Sequence, residues 1–380
     1  EAIDPTSLIV TVSGAGSFYP APTDLFSTLE VVDQETLRCT VAPSGLCSLG
    51  QVDIRASLAD LSGNRSALAS FSSRVVPLSD RARPLERNQV VFLDFTTDRE
   101  NNGRGDGRAD WHKDLEDYGL IAAGDPVGRN AWMQELIEEA VEAKVNELYG
   151  RGPAGSWREG AVAIRFVRER PPRNIPFMHM AVGGQDPEGG VRVLGEDSTG
   201  ILGRAWYDRC NSNLSDNNTG TSPGLGVFPG ELFLYQGNLH RQLHPGYLTT
   251  FGATYSLVSP HLNGTPAGEG PLDATVMDPD FDFDQASTAE RSRYLAIFNA
   301  ADDLAVAVAT LLAHEVGHSL GLVAPGVNPT GLHGDSTMHC EPSLFGQLMN
   351  AVVGYDGLVE EIYSFRPLNR AYLQERILMK

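Results

Sequence analysis

The chain has 380 residues, of which 41% are hydrophobic and 21% charged, and this composition is ordinary for a globular protein of two or three domains. The 29 basic and 49 acidic residues give a net charge of −20, which argues against binding to nucleic acids or anionic membranes because their phosphates would be repelled. No run of 18 or more apolar residues occurs, so we expect no membrane span.

Residues 1–80 predict an all-β unit. Residues 8–12 form a strand-like run, and residues 51–56 alternate between apolar and polar side chains with a period of two. The pattern resembles an immunoglobulin-like bacterial β-sandwich module, for which a role as spacer or stabiliser is expected. Residues 81–87 are the expected linker to a second domain over residues 88–380.

The second domain opens with an apolar strand at residues 90–95, followed by a loop over residues 98–110. Spaced oxygen donors and glycines in this loop resemble a calcium-binding loop. The match is incomplete, because the twelfth position is Ala109 rather than Glu, and a polar surface loop is the alternative. The candidate calcium ligands are Asp98, Glu100, Asn102, Asp106 and Asp110.

Apolar residues recur at helical spacing over residues 130–149 and predict a long amphipathic helix. Residues 161–167 are expected to form a central strand. Residues 177–184 are expected to form an edge strand, which could bind an extended peptide by backbone pairing.

Carboxylates alternate with other residues in the segment 278–284, so they would share one face of an extended chain. Four like charges are costly unless they are solvated or bind a cation. Both a calcium site and an acidic cap before the next helix remain open. The carboxylates are those of Asp278, Asp280, Asp282 and Asp284.

The sharpest chemical signal is the pattern His314-Glu315-x-x-His318, which lies on an Ala- and Leu-rich segment. The segment begins at Asp302 and Asp303, and this acidic pair suits the start of a helix. Histidines four residues apart lie on one face of a helix, so both imidazoles can reach one zinc ion. Glu315 is then placed to act as a general base. Gly321 fits a left-handed position at the helix end.

The pattern, with a glycine three residues after the second histidine, resembles the metzincin clan of zinc endopeptidases. The clan usually has a third histidine at the position of Ala324 in this chain, so the chain departs from the motif. A longer, glycine-rich loop is expected to deliver His333 as the third ligand, with His339 and Asp335 as rivals.

Metzincins also place a methionine in a tight turn beneath the metal. Met349 is the expected residue here and Met338 is its rival, while either could be an ordinary core residue. The resemblance implies an α+β catalytic domain with a twisted mixed sheet, a backing helix, an active-site helix and a C-terminal helix.

Four cysteines allow three pairings. The expected disulfides are Cys39–Cys47, whose members are close in sequence, and then Cys210–Cys340, with free buried thiols as the alternative. Disulfides and the acidic composition suit a secreted protein. The chain begins at Glu1 without an apolar leader, so we expect a mature or trimmed chain.

Two functions follow from these patterns. The first is a secreted, monomeric zinc endopeptidase that acts on protein or peptide substrates and is stabilised by Ca²⁺. The second is a calcium-stabilised binding or adhesion module on a catalytically silent scaffold of the same type. The presence of Glu315 argues against the second.

Overall fold

A computed structural model describes the protein at residues 3–13, 23–24, 29–31, 37–39, 50–75, 89–99, 105–122, 128–150, 162–189, 200–208, 211, 213–234, 249–254, 264–323, 347–350, 358–359 and 363–376. The described residues form a mixed α/β structure with several sheets.

All regular elements described between residues 3 and 75 are strands: β1 (Ile3–Ser13), β2 (Thr23–Asp24), β3 (Leu29–Val31), β4 (Leu37–Cys39), β5 (Gly50–Asp60) and β6 (Ala69–Val75). One antiparallel sheet has the order β2-β1-β5-β6, and β3 pairs antiparallel with β4. Asp60 Oδ1 accepts the backbone N–H groups of Ser62 and Asn64, both at 2.8 Å, and so shapes the turn that follows β5.

Six strands follow in the rest of the described chain: β7 (Gln89–Asp94), β8 (Ile164–Val167), β9 (Met178–Ala181), β10 (Gly203–Arg204), β11 (Asn217–Asn218) and β12 (Gly226–Val227). A parallel sheet has the order β11-β9-β7-β8, and β10 pairs antiparallel with β12. A bridge between Val182 and Val227 joins this pair to the end of β9.

This strand order corrects two expectations. The strand expected at a sheet edge, within residues 177–184, is β9, and it lies between β7 and β11. The strand expected at the centre, within residues 161–167, is β8, and it lies at the end of the described sheet. Alternation of side chains fixes which face of a strand is buried, whereas the order of strands depends on contacts distant in sequence.

The described helices are α1 (Asp110–Asp117), α2 (Arg129–Leu148), α3 (Asp273–Val276), α4 (Thr288–Ser319) and α5 (Pro367–Arg376). α2 is the amphipathic helix predicted from spacing, and its buried residues include Met133, Ile137, Val141 and Val145. It packs along α4 within one continuous hydrophobic core.

α4 has 32 residues, and Ser287 begins it with a capping box in which Ser287 and Glu290 each accept the backbone N–H of the other. The expectation that Asp302 marks the helix start is therefore wrong, because Asp302 lies mid-helix and pairs with Lys144 of α2 at 2.9 Å. The stronger start signal is the capping box, which satisfies backbone donors that an acidic pair alone leaves open.

α4 is long and apolar enough to cross a membrane by length and composition, with a hydropathy of 1.7 in its most apolar window. Of that window, 61% is buried inside the protein. A buried core helix passes the same test, and burial accounts for the apolar composition of α4.

Candidate metal centre

The two histidines of the motif lie on successive turns near the end of α4, and both are buried. Their rings are nearly perpendicular, and the Nε2 atom of His314 lies 3.2 Å from the Nε2 atom of His318. Two nitrogens bound to one tetrahedral zinc at about 2.05 Å would lie about 3.3 Å apart. The spacing of the two histidines is therefore the spacing that a shared zinc ion requires.

The opposite ring nitrogens fix the orientation of both imidazoles. His314 Nδ1 lies 2.5 Å from the carbonyl oxygen of Leu348, and His318 Nδ1 lies 3.3 Å from that of Leu322. A carbonyl oxygen can only accept a hydrogen bond, so each Nδ1 carries the proton and each neutral ring presents its Nε2 lone pair to the centre. Metal-binding histidines commonly donate their second ring nitrogen to a backbone carbonyl in this way.

The end of α4 is held by a Schellman motif. Gly321 has a φ of 91°, its N–H donates to the carbonyl of His318 at 2.9 Å, and the N–H of Leu322 donates to that of Gly317 at 2.9 Å. The predicted left-handed position of Gly321 is confirmed. Because this turn also positions the Leu322 carbonyl, the helix ending orients the His318 ring.

Met349 lies against the helix at the level of the histidines. A Cβ added to Gly317 would lie 2.6 Å from Met349 Sδ, so the glycine makes room for the buried methionine. The preceding residue, Leu348, supplies the carbonyl that orients His314. The contact favours Met349 as the residue beneath the site, and Met338 lies outside the described residues.

Glu315 is buried beside β10. A Cβ on Gly203 would lie 2.7 Å from Glu315 Oε1, so a larger residue at this position of β10 would have to displace the carboxylate or the strand. Burial raises the pKa of the Glu315 carboxyl to about 8, and the charge of Arg204 opposes that rise. A bound dication would also favour the ionised form that a general base requires.

Arg204 is fixed by three acceptors. Its Nη1 lies 2.9 Å from Glu188 Oε2, 2.9 Å from the carbonyl oxygen of Gly224 and 3.3 Å from Asp186 Oδ1. These contacts hold the guanidinium group of Arg204 near the carboxyl group of Glu315.

A buried polar network joins the segment after β10 to α4. Asn218 Nδ2 donates to Ser319 Oγ at 3.1 Å, Ser319 Oγ donates to the carbonyl of Trp206 at 3.0 Å, and the N–H of Trp206 donates to Asn218 Oδ1 at 2.7 Å. The Trp206 side chain remains 49% exposed. The network therefore keeps a large aromatic side chain at the surface, close to the end of the histidine-bearing helix.

The predicted third ligand and its rivals, His333, His339 and Asp335, lie outside the described residues. Within the described ranges, no group of three or more His, Cys, Asp or Glu residues could hold a metal ion. The described part of the centre thus consists of two nitrogen donors and an adjacent carboxylate.

The first predicted calcium loop brings carboxylates around a lysine. Lys113 Nζ lies 3.2 Å from Asp106 Oδ1, 3.3 Å from Asp110 Oδ1 and 3.9 Å from Asp98 Oδ1. An ammonium group therefore lies among the described carboxylates of the loop and offsets part of their charge. Glu100 and Asn102 lie outside the described residues.

In the second predicted calcium segment all four aspartates are exposed. Asp278 Oδ1 accepts the N–H of Asp280 at 2.9 Å, and Asp282 Oδ1 accepts that of Asp284 at 3.0 Å. These are local turns, and they lead into the capping box of α4.

The predicted disulfides involve cysteine side chains that lie outside the described residues, and of the four only the backbone of Cys39, in β4, is described.

Sequence patterns missed Gly203 and the carbonyls of Leu322 and Leu348. Backbone carbonyls carry no residue-type signal, and Gly203 stands out only once its strand is known to face Glu315.

Searches against protein-family models, curated proteins and solved structures gave no match to this chain. The resemblance to metzincins therefore depends on the motif residues and on the geometry around them.

Proposed function

We propose that the protein is a zinc-dependent endopeptidase. The observation that carries the proposal is the approach of His314 Nε2 to His318 Nε2, 3.2 Å apart, with each Nδ1 held by a backbone carbonyl. The spacing and the ring orientation both suit zinc, and His333 is the proposed third protein ligand.

When bound, zinc would polarise the scissile carbonyl and lower the pKa of a water molecule. Glu315 accepts a proton from the attacking water and then donates it to the leaving amine nitrogen. Its burial excludes bulk water from this carboxylate, and Gly203 leaves the space in which the carboxylate lies.

β10 takes the substrate-binding role first expected of the strand within residues 177–184. Among the described strands β10 pairs with β12 alone, and it lies beside Glu315. An extended peptide added along β10 would therefore run past the carboxylate and the two histidines, with the exposed Trp206 available to contact its side chains.

The test is Glu315→Gln, which keeps the shape of the side chain and removes its basicity. The variant should bind zinc as the natural chain does and lose casein turnover by about 100-fold or more. Unchanged turnover would overturn the assignment of Glu315. If neither chain cleaves casein and calcium alone binds tightly, the adhesion-module alternative is favoured instead.

A further inference from the structure

The segment between β10 and β11 brings two carboxylates together through one asparagine. The backbone N–H of Asn213 donates to Asp208 Oδ2 at 2.7 Å, and Asn213 Nδ2 donates to Asp216 Oδ1 at 2.6 Å. The segment therefore folds back so that Asp208 and Asp216 face the same residue.

Asp216 is only 8% exposed, and its second oxygen, Oδ2, is fully buried with no hydrogen-bond partner in the described part of the chain. Burial, with a further contribution from the charge of Asp208, raises the pKa of this carboxyl to about 6. At neutral pH the group is therefore mostly ionised. An ionised, buried carboxylate oxygen without a partner is unfavourable unless a cation reaches it.

The fold fixes the backbone at Asp216, so this residue cannot easily turn its carboxylate out to water. Its backbone carbonyl accepts the N–H of His179 on β9 at 2.8 Å, and β11 begins at the next residue. Asn211, earlier in the segment, exchanges two side-chain hydrogen bonds with Gln89 of β7, at 2.7 and 3.2 Å. Both ends of the segment are thus attached to the parallel sheet.

We propose that Asp208, Asn213 and Asp216 form a calcium-binding site. Calcium prefers carboxylate and amide oxygens and completes its shell with backbone carbonyls and water. Asp216 Oδ2 supplies the unsatisfied oxygen and Asp208 a second carboxylate. Asn213 holds both aspartates in place, Asp208 through its backbone N–H and Asp216 through its side-chain Nδ2, while its Oδ1 accepts the N–H of Ser215 at 3.1 Å.

This site differs from the histidine pair in its chemistry, because it offers oxygens rather than imidazole nitrogens. It also differs from the two calcium segments predicted from sequence. In the first of these the Lys113 ammonium already lies among the carboxylates, and in the second all four aspartates are exposed to water.

A bound ion would stabilise the region beside the histidine-bearing helix. Two residues beyond Asp216, Asn218 bonds both to the backbone of Trp206 and to Ser319 of α4. Calcium at Asp216 would therefore fix the connection from β10 to β11, and with it the placement of Trp206.

The experiment is calorimetric titration of the full chain with CaCl₂ after chelation, comparing the natural chain with Asp216→Asn. The matched control is Asp282→Asn, which removes one exposed carboxylate from the other acidic segment. We expect Asp216→Asn to lower calcium affinity at this site at least tenfold, or to reduce the stoichiometry by one, and the control to match the natural chain.

Asn213→Ala is the second variant, since Asn213 is exposed and its replacement should leave the fold intact. This variant should bind calcium more weakly than the natural chain. Its melting temperature in the presence of a chelator should equal that of the natural chain. The proposal would be overturned if Asp216→Asn bound calcium with unchanged stoichiometry and affinity, or if the natural chain bound no calcium. Neither result bears on zinc content or on Glu315→Gln, so the peptidase proposal is tested separately.

Discussion

Gly203 of β10 and Glu315 of α4 are in such close contact that a Cβ on Gly203 would lie 2.6 Å from Glu315 Cγ. Real Cβ atoms essentially never approach a non-bonded heavy atom so closely, so any side chain at position 203 must displace the carboxylate or the strand. The contact links the proposed substrate-binding strand directly to the proposed general base.

Gly203→Ala should therefore impair catalysis more than metal binding. A displacement of about 1 Å at a catalytic group can lower turnover by about 100-fold. We expect a loss of this size in kcat for casein or peptide cleavage, with zinc content equal to that of the natural chain. Full activity in the alanine variant would show that Glu315 does not need the space beside β10.

The sequence predicted local features of the centre better than its surroundings. Helical spacing alone places His314 and His318 on one face, and the glycine at position 321 marks the helix end, because both signals are local. The carbonyl of Leu348 reaches His314 across 34 residues, and such contacts depend on the tertiary fold rather than on residue type.

The same distinction explains the corrected elements. α2 was predicted from its periodicity, and a helix of 20 residues carries enough repeats for that. β8 and β9 have four residues each, and their order in the sheet is set by pairing with β7, from which they are separated by α1 and α2. Neither burial pattern nor length shows which strand is at the edge.

The proposed third zinc ligand can be tested by metal content. His333→Ala should lower zinc affinity by more than about 100-fold, the upper loss usual for removal of an outer-shell partner. His339→Ala and Asp335→Asn are the matched variants and should retain zinc. Loss of zinc in His339→Ala or Asp335→Asn, with retention in His333→Ala, would assign the ligand to the rival residue.

Trp206 is predicted to contact substrate. Trp206→Ala should raise KM for extended peptides about fivefold, because the loss of an aromatic contact of about 1 kcal/mol weakens binding by about this factor. Its backbone bonds to Asn218 and Ser319 remain, so the melting temperature should change little.

Leu295→Ala is the control for Trp206. Leu295 is also a large exposed hydrophobic residue, 43% exposed, but it lies 19 residues before His314 on the same helix. At 1.5 Å per residue this is a separation of about 28 Å. An equal rise in KM in both variants would exclude a specific role for Trp206.

The pair of Asp94 and His179 predicts a pH-dependent contribution to stability. Asp94 Oδ2 lies 2.7 Å from His179 Nε2. Burial alone would raise the pKa of Asp94, but hydrogen bonds from His179 and Thr96 lower this pKa to about 2. A carboxyl whose pKa is lowered on folding stabilises the protein above its unfolded pKa of about 3.9, and the contribution is lost as the pH falls toward 2.

The contribution should be about 2 kcal/mol above pH ~5. Urea unfolding of the natural chain and of Asp94→Asn at several pH values measures it. The difference in unfolding free energy between the two should be constant at neutral pH and shrink between pH ~4 and ~2. A difference that is independent of pH over this interval would contradict the assigned cause.

The most direct test of the central claim is the zinc content of the purified chain, measured by elemental mass spectrometry alongside that of His314→Ala and His318→Ala. We predict one zinc per natural chain, and its loss in each variant with the fold retained by circular dichroism. The account would be contradicted if the natural chain contained no zinc, or if both variants retained as much zinc as the natural chain.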